Sequence, residues 1–337
     1  MRQHLRVPRV SAPGLAQALV QVASPSLGHA FPPHWGWYVV LYLFLGGLSA
    51  GTYFIASLLL FAGDARDREA VRLGYLVSFP LLLVCFALLL LDLGVPLRFW
   101  HLLLASERVP AIVFKPWSPI SLGSWILALF SVFSSAAFAW ALVESGRLRW
   151  EPAARAAAWA ASMPRPLLAW KAVGMLFSFG LTGYTGVLVS ATTIPVWHNA
   201  RLMGALFLAS ATSTSYALLM LLLLRRGGGR AGPTIAKLSR ADTFSMLLEL
   251  VLIVVLLLVL GRAARPLVSG GFGVLFWVGV VGLGLLWPLV LHRKGVVRWA
   301  EPRRELIAAV CVLVGGLLLR FVVVVSPQFP AVSLWAL

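Results

Sequence analysis

Charge is scarce in this chain, and acidic charge is scarcest: 11 Asp and Glu stand against 28 Lys and Arg in 337 residues. A soluble domain of this length needs a charged surface. With 60% hydrophobic residues and a mean hydropathy of +0.91, this sequence cannot build one. Its bulk solvent must be lipid. Cysteine is almost absent as well. Cys85 and Cys311 each sit inside an apolar run, without metal-ligand spacing, and read as small buried hydrophobes. Histidine is missing from the interior of the apolar runs. His4, His29, His34, His101, His198 and His292 lie in the N-terminal segment, near run ends or in connectors. Transmembrane b-type haem takes its axial ligands from within the spans, which argues against a di-haem cytochrome. There is also no CxxCH, iron–sulfur cysteine set, P-loop or GxGxxG at a strand–helix junction. The sequence therefore brings no haem, metal or electron carrier of its own.

What is present is a series of long apolar runs. A net charge of +17 suggests nucleic acid at first sight. Almost all the basic residues, however, lie in short connectors between these runs, and no nucleic-acid-binding module is visible. Runs long enough to cross the roughly 30 Å hydrocarbon core fall at 36–61, 73–94, 119–142, 167–192, 202–224, 242–261, 270–291 and 305–325. Pro80 and Pro288 interrupt two of them, which neighbouring helices can tolerate. The expected fold is all-α and integral to the membrane, with eight transmembrane helices. It has an N-terminal arm over 1–33, a membrane domain over 34–325 and a short tail over 326–337. The connectors on the side of the termini hold 9 Lys and Arg, and those on the other side hold 17. That excess places the second side in the cytoplasm and both termini outside. The basic connectors 143–166 and 225–240 are expected to be solvated loops. FLGGLSAGTY (44–53) aligns with FLASATSTSY (207–216), and LDLGVPLR (91–98) with LVLGRAAR (258–265). A parallel repeat of two four-helix bundles and shared membrane composition are both open explanations.

Charges inside spans are expensive and usually face the protein interior. Here they are Asp92, Lys171, Glu249 and Arg320. Helix order places Asp92, Tyr184, Arg320 and His34 in one outer layer. Imidazole, carboxylate, phenol and guanidinium together can hydrogen-bond a polar head group and exchange protons. A quinone needs that combination, with an apolar slot for its tail. The alternative is a structural Asp92–Arg320 pair among interfacial aromatics. In span 1, His34, Tyr38, Tyr42, Ser49 and Tyr53 fall within about 100° of one another on a helix and make Tyr38, Ser49 and Tyr53 candidate cleft-lining residues. Gly47 and Gly51 form a GxxxG pair on another face, where a second helix can come close. Asp242, Ser245 and Glu249 share a face of span 6, and Lys171, Ser178, Thr182 and Thr185 a face of span 4. These residues read either as a proton path or as a buried Lys171–Glu249 pair.

The stretches YLFLGGLSAG, LDLGVPLRFWHLL, SPISLGSW and GYTGVLVSATTIPVWHN, in this order and spacing, are similar to the polysulfide reductase membrane-subunit family of NrfD-like anchors. The resemblance covers most of 34–325. It implies a haem-free subunit of the bacterial inner membrane that exchanges electrons with menaquinone or ubiquinone. Its partner is implied to be a ferredoxin-like iron–sulfur subunit on the periplasmic side, joined to a molybdopterin subunit or a multihaem cytochrome. It implies that His34, Tyr184 and Asp92 occupy the family's quinone-site positions, with Arg320 matching an intramembrane arginine. In that scheme His34 and Tyr184 donate to the quinone oxygens, Asp92 relays protons and Arg320 holds Asp92 ionised. A family asparagine one turn before the histidine falls on Phe31, a departure that removes one donor. Two other functions fit the same spans: a secondary transporter, although transporter repeats are more often inverted, and a passive anchor for a peripheral complex.

Overall fold

The computed structural model describes residues 35–104, 111–192, 195–198, 200–226, 232–293 and 300–329. His34, the N-terminal arm and the tail from 330 lie outside them. Eight helices are long and apolar enough to span a membrane. They are span 1 (Trp37–Ala62), span 2 (Arg68–Asp92), span 3 (Pro119–Glu144), span 4 (Pro164–Ser190), span 5 (Met203–Arg225), span 6 (Gly232–Leu260), span 7 (Gly270–His292) and span 8 (Glu301–Val325). The protein is an all-α, multi-pass membrane protein.

Several helices run past the apolar limits read from the sequence. Span 2 starts at Arg68 rather than 73, and span 6 at Gly232 rather than 242. Polar residues at these ends continue the backbone pattern outside the hydrocarbon. Connector 143–166 was expected as loop and contains a helix, Glu151–Ala161. Pro152 in its first turn supplies a preset φ, and the alanine-rich run that follows has the highest helix propensity available. Pro80 sits inside span 2 without ending it. Pro288 follows a stretch, Leu275–Leu286, whose hydrogen bonds widen to the π pattern. Three glycines in that stretch allow close packing; Gly284 lies so near Gly315 of span 8 that a Cβ there would stand 2.6 Å from the Gly315 Cα.

Spans 1–4 pack on one another, as do spans 5–8. Span 1 packs on spans 2 and 4, and span 3 lies between spans 2 and 4; span 5 packs on spans 6 and 8, and span 8 on span 7. Between the halves, span 1 meets spans 5 and 8, and span 4 meets span 5. Spans 1 and 5 are consequently the most buried. The small residues of span 1 make this possible. A Cβ on Gly47 would stand 3.1 Å from the Ala211 Cβ, and one on Gly51 would meet Ser215 Oγ. The GxxxG face predicted for close packing thus faces span 5.

The two ends of the bundle are tied differently. At the end where spans 1 and 8 meet, called here the terminal end, Trp35 N donates to Gln328 Oε1 at 2.8 Å and Gln328 Nε2 to Trp35 O at 3.0 Å. Trp35 stacks on Trp197, and the Trp197 indole donates to Val323 O at 2.7 Å. At the opposite end, Lys237 Nζ of span 6 lies 3.1 Å from Asp64 Oδ2 and 2.5 Å from Asp67 Oδ2. This contact joins the turn between spans 1 and 2 to the second half.

Candidate functional site

The candidate residues fall into three places. The first lies at the terminal end of spans 1–4. Tyr42 is buried on span 1, one and a half turns in from its start. Its backbone carbonyl accepts from the Cys85 thiol of span 2 at 3.4 Å. Asp92 ends span 2 and is exposed. Tyr184, on span 4, donates to Pro119 O at 2.8 Å, reaching the first residue of span 3. Its ring fills the space above Gly123, where a Cβ would collide with the Tyr184 ring and hydroxyl. Ser118 caps span 3 just outside this point, accepting from Ser121 N at 3.5 Å. Tyr42, Asp92 and Tyr184 thus lie toward the terminal end of spans 1, 2 and 4, with the Tyr184 hydroxyl on the Pro119 carbonyl. Phenols donate and accept, carboxyls accept or carry protons, and the Tyr184 hydroxyl can rotate from Pro119 O to another acceptor.

The other proposed cleft residues of span 1 diverge. Tyr38 is exposed. Ser49 is fully buried and donates to Ser78 O of span 2 at 2.7 Å. Tyr53 is buried deeper, packed on Tyr75 and edge-on to Phe130. The face they share by helical periodicity is mostly a packing face against spans 2, 3 and 4.

The second place is the interior of spans 5–8. Arg320 is completely buried. It donates to Ser210 Oγ at 2.5 Å, to Gly316 O at 2.9 Å and to Phe207 O at 3.3 Å. Its guanidinium lies over the Phe207 ring, 5.0 Å from the centroid. The acidic neighbour of Arg320 is Glu249, with Ser210 set between them. Asp92 and Arg320 are not brought together: the carboxyl ends span 2 at the surface, and the guanidinium is buried among spans 5 and 8 where they face Phe44 and Gly47 of span 1. A narrow void touches Ser210, Thr214, Glu249 and Gly316.

Buried polar groups continue from Glu249 toward the opposite end. Asp242, Ser245 and Glu249 are all buried on one face of span 6. Asp242 accepts from Ser213 Oγ at 2.6 Å, while its other oxygen has no partner among the described residues. Farther along, His292 Nε2 stands 3.3 Å from Glu305 Oε2, and Thr243 Oγ1 lies 3.2 Å from His292 Nδ1. Arg304 approaches Glu305 at 3.6 Å.

The third place holds Lys171. Its ammonium lies over the Trp140 ring, 4.7 Å from the centroid, at the opposite end of spans 3 and 4. It forms no pair with Glu249. Thr182 is buried and donates to Ser178 O at 2.7 Å within its own helix. Lys171 and Thr182 thus belong to the first half, and Asp242, Ser245 and Glu249 to the second.

Sequence reasoning did not single out Ser210, Ser213, His292 and Glu305 as site residues. A signal existed for two of them: ASATSTS (209–215) is a hydroxyl-rich run inside a span. His292 and Glu305 sit at span ends, where polar residues are common and carry no warning. His34 lies outside the described residues. Among those described, no group of three or more His, Cys, Asp or Glu is arranged to hold a metal.

Comparison with known proteins follows the same boundaries. The family model for polysulphide reductase, NrfD, matches residues 25–331. The sequence is 30% identical to a polysulfide reductase polypeptide of Wolinella succinogenes over 321 residues, which cover 87% of this protein and 94% of that one. It is 29% identical to protein NrfD of Escherichia coli over 314 residues, covering 87% of this protein and 95% of that one. A shorter match of 99 residues at 26% identity, 29% of this protein and 21% of the relative, links it to a selenate reductase subunit of Mesobacillus selenatarsenatis.

Proposed function

The chain belongs to the polysulphide reductase NrfD family, and we propose that it is the quinone-reactive membrane subunit of a respiratory oxidoreductase. The observation that carries this reading is the placement of Tyr42, Asp92 and Tyr184 toward the same, terminal end of spans 1, 2 and 4, with the Tyr184 hydroxyl beside the start of span 3. The quinone, menaquinone or ubiquinone, is the substrate and supplies two-electron, two-proton chemistry. The donor set fits it: phenolic hydroxyls match carbonyl or hydroxyl oxygens, and an exposed carboxyl can exchange protons with water. Tyr184 turns its proton from Pro119 O toward the head group. Tyr42 polarises the site from the span 1 side, and Asp92 relays protons at the surface. His34 is the further donor.

Electrons pass to or from a ferredoxin-like iron–sulfur subunit, and through it a molybdopterin subunit or multihaem cytochrome. The docking face proposed is the terminal end, taken as periplasmic in the inner membrane. Exposed Leu97, Ile112 and Trp117 in the connector there offer an apolar contact surface. Protons move in the second half along Glu305, His292, Asp242 and Glu249 to Arg320. Asp242 and Glu249 are about 10 Å apart along span 6, with Ser245 one turn between them, so transfer needs that hydroxyl or a water.

The test is to purify the protein with its native partners, identify them, and measure quinol turnover in the complex. Turnover in Tyr184→Phe and Asp92→Asn should fall at least tenfold with the partners still bound. Normal turnover in both would leave a passive anchor. Solute uptake by the isolated protein in liposomes would favour a transporter.

A further inference from the structure

A cavity of about 560 Å³ lies away from Tyr42, Tyr184 and Asp92, none of which lines it. It lies at the opposite end, between spans 3 and 4 and the connector helix Glu151–Ala161. Its volume is that of an ordinary small-molecule site, about 300–1,000 Å³. Its wall is nearly all apolar. Ala153, Ala156, Ala157 and Ala160 line it from the connector helix, one helical face at the i, i+3, i+4, i+7 spacing. That helix touches spans 3 and 4 but buries no residue fully, so its small-residue face leaves a gap against the bundle.

Two polar groups interrupt the wall. Tyr53 closes the deep side. It is 1% exposed, and its hydroxyl has no hydrogen-bond partner among the described residues. A buried unpaired hydroxyl is costly and calls for an acceptor. Lys171 is the other, with its ammonium over Trp140 and in no salt bridge among the described residues. The flanking connector 143–166 carries exposed Arg147, Arg149, Arg155 and Arg165 against Glu144 and Glu151, with Arg155 paired to Glu151 at 3.4 Å. The site is therefore apolar within, holds one lysine beside a connector of net positive charge, and is provided with one buried unpaired donor.

We propose that this cavity binds an anionic membrane amphiphile. Its acidic headgroup sits on Lys171 beside the arginine-bearing connector, its acyl tail lies along the alanine wall, and an oxygen of its ester or acid group accepts from Tyr53. A neutral lipid would leave that positive charge unanswered. A water-soluble anion would leave the alanine wall facing water. An acidic phospholipid and a free fatty acid share the required chemistry. The assignment is independent of the quinone reading.

The experiment uses the full chain, extracted in mild detergent and exposed to phosphatidylglycerol, phosphatidylcholine or oleate. Native mass spectrometry reads the retained lipid. Wild type should keep at least fivefold more phosphatidylglycerol than phosphatidylcholine. Lys171→Gln should remove that preference. Ala157→Trp, which fills the cavity from the exposed connector helix, should lower retention of either phospholipid at least fivefold, and the milder Ala156→Leu should act in the same direction. Displacement of phosphatidylglycerol by equimolar oleate identifies a free acid as the occupant; its failure identifies the phospholipid. Equal retention of the two phospholipids by wild type would overturn the proposal. So would unchanged retention in both alanine variants, or a quinone that is extracted from wild type and lost in Ala157→Trp.

Discussion

The ring of Tyr184 on span 4 occupies the volume that any side chain on Gly123 of span 3 would need. The glycine is therefore what lets the phenol reach Pro119 O. Gly123→Ala should push the ring aside without adding or removing a polar group. Quinol turnover in the complex should fall about as far as in Tyr184→Phe. The double variant should fall no further than either alone, because both remove the same function. Independent, multiplying losses in the double variant would mean that Gly123 acts through something other than Tyr184.

Arg320 provides a sharper test of partnership. Its hydrogen bonds and its nearest acid lie within spans 5–8, through Ser210 to Glu249. Removing one member of a buried charged set costs about 3–5 kcal/mol, whereas removing both costs less. Arg320→Met should lower the melting temperature of the detergent-solubilised protein strongly, and Arg320→Met with Glu249→Gln should recover part of the loss. The cycle should give a coupling of about 1–2 kcal/mol. If Asp92→Asn rescues Arg320→Met and Glu249→Gln does not, the arginine serves the terminal-end site instead.

Much of this architecture is legible in the sequence for simple reasons. Eight runs of apolar residues are required by the thickness of lipid, so their number survives any error in their ends. The GxxxG pair in span 1 marks a close helix contact because only small residues allow one. The site was harder. Periodicity placed Tyr38, Tyr42, Ser49 and Tyr53 on one face but could not say whether that face lined a cleft or met another helix. Ser49 spends its hydroxyl on Ser78 O, Tyr53 packs on Tyr75 and Phe130, and Tyr38 is exposed. The same limit applies to Arg320. Depth along a span put it level with Asp92, but depth says nothing of which half of the bundle a residue faces. The connector helix was missed because the basic residues in 143–166 obscured the alanine run among them.

Glu249 is the step in the second-half pathway with no alternative carboxyl at its depth. Gln keeps its shape and hydrogen bonding to Ser210 but cannot carry a proton. Glu249→Gln should reduce protons moved per quinol in complex-containing vesicles, while quinol turnover in uncoupled vesicles stays within about twofold. A proton stoichiometry equal to that of wild type would sink the path through spans 5–8. Lys171→Gln should leave the stoichiometry unchanged, since that side chain lies on Trp140 in the other half.

The tie at the opposite end should matter for stability rather than turnover. Asp67 is 1% exposed and receives Lys237 Nζ, Thr234 Oγ1 at 2.8 Å and the Asp64 backbone N–H at 2.9 Å. Asp64 contributes a mostly exposed carboxylate to the same lysine. Lys237→Ala strands the buried Asp67 carboxylate and should destabilise the fold by about 2–3 kcal/mol. Asp64→Ala removes only a solvent-screened partner and should cost under about 1 kcal/mol. The measurement is thermal unfolding of the solubilised protein in low and high salt. The loss in Lys237→Ala should persist in high salt, because the stranded carboxylate is shielded from it, while that of Asp64→Ala should shrink. Equal losses for the two variants would place the stabilisation in surface charge instead of the buried contact between the halves.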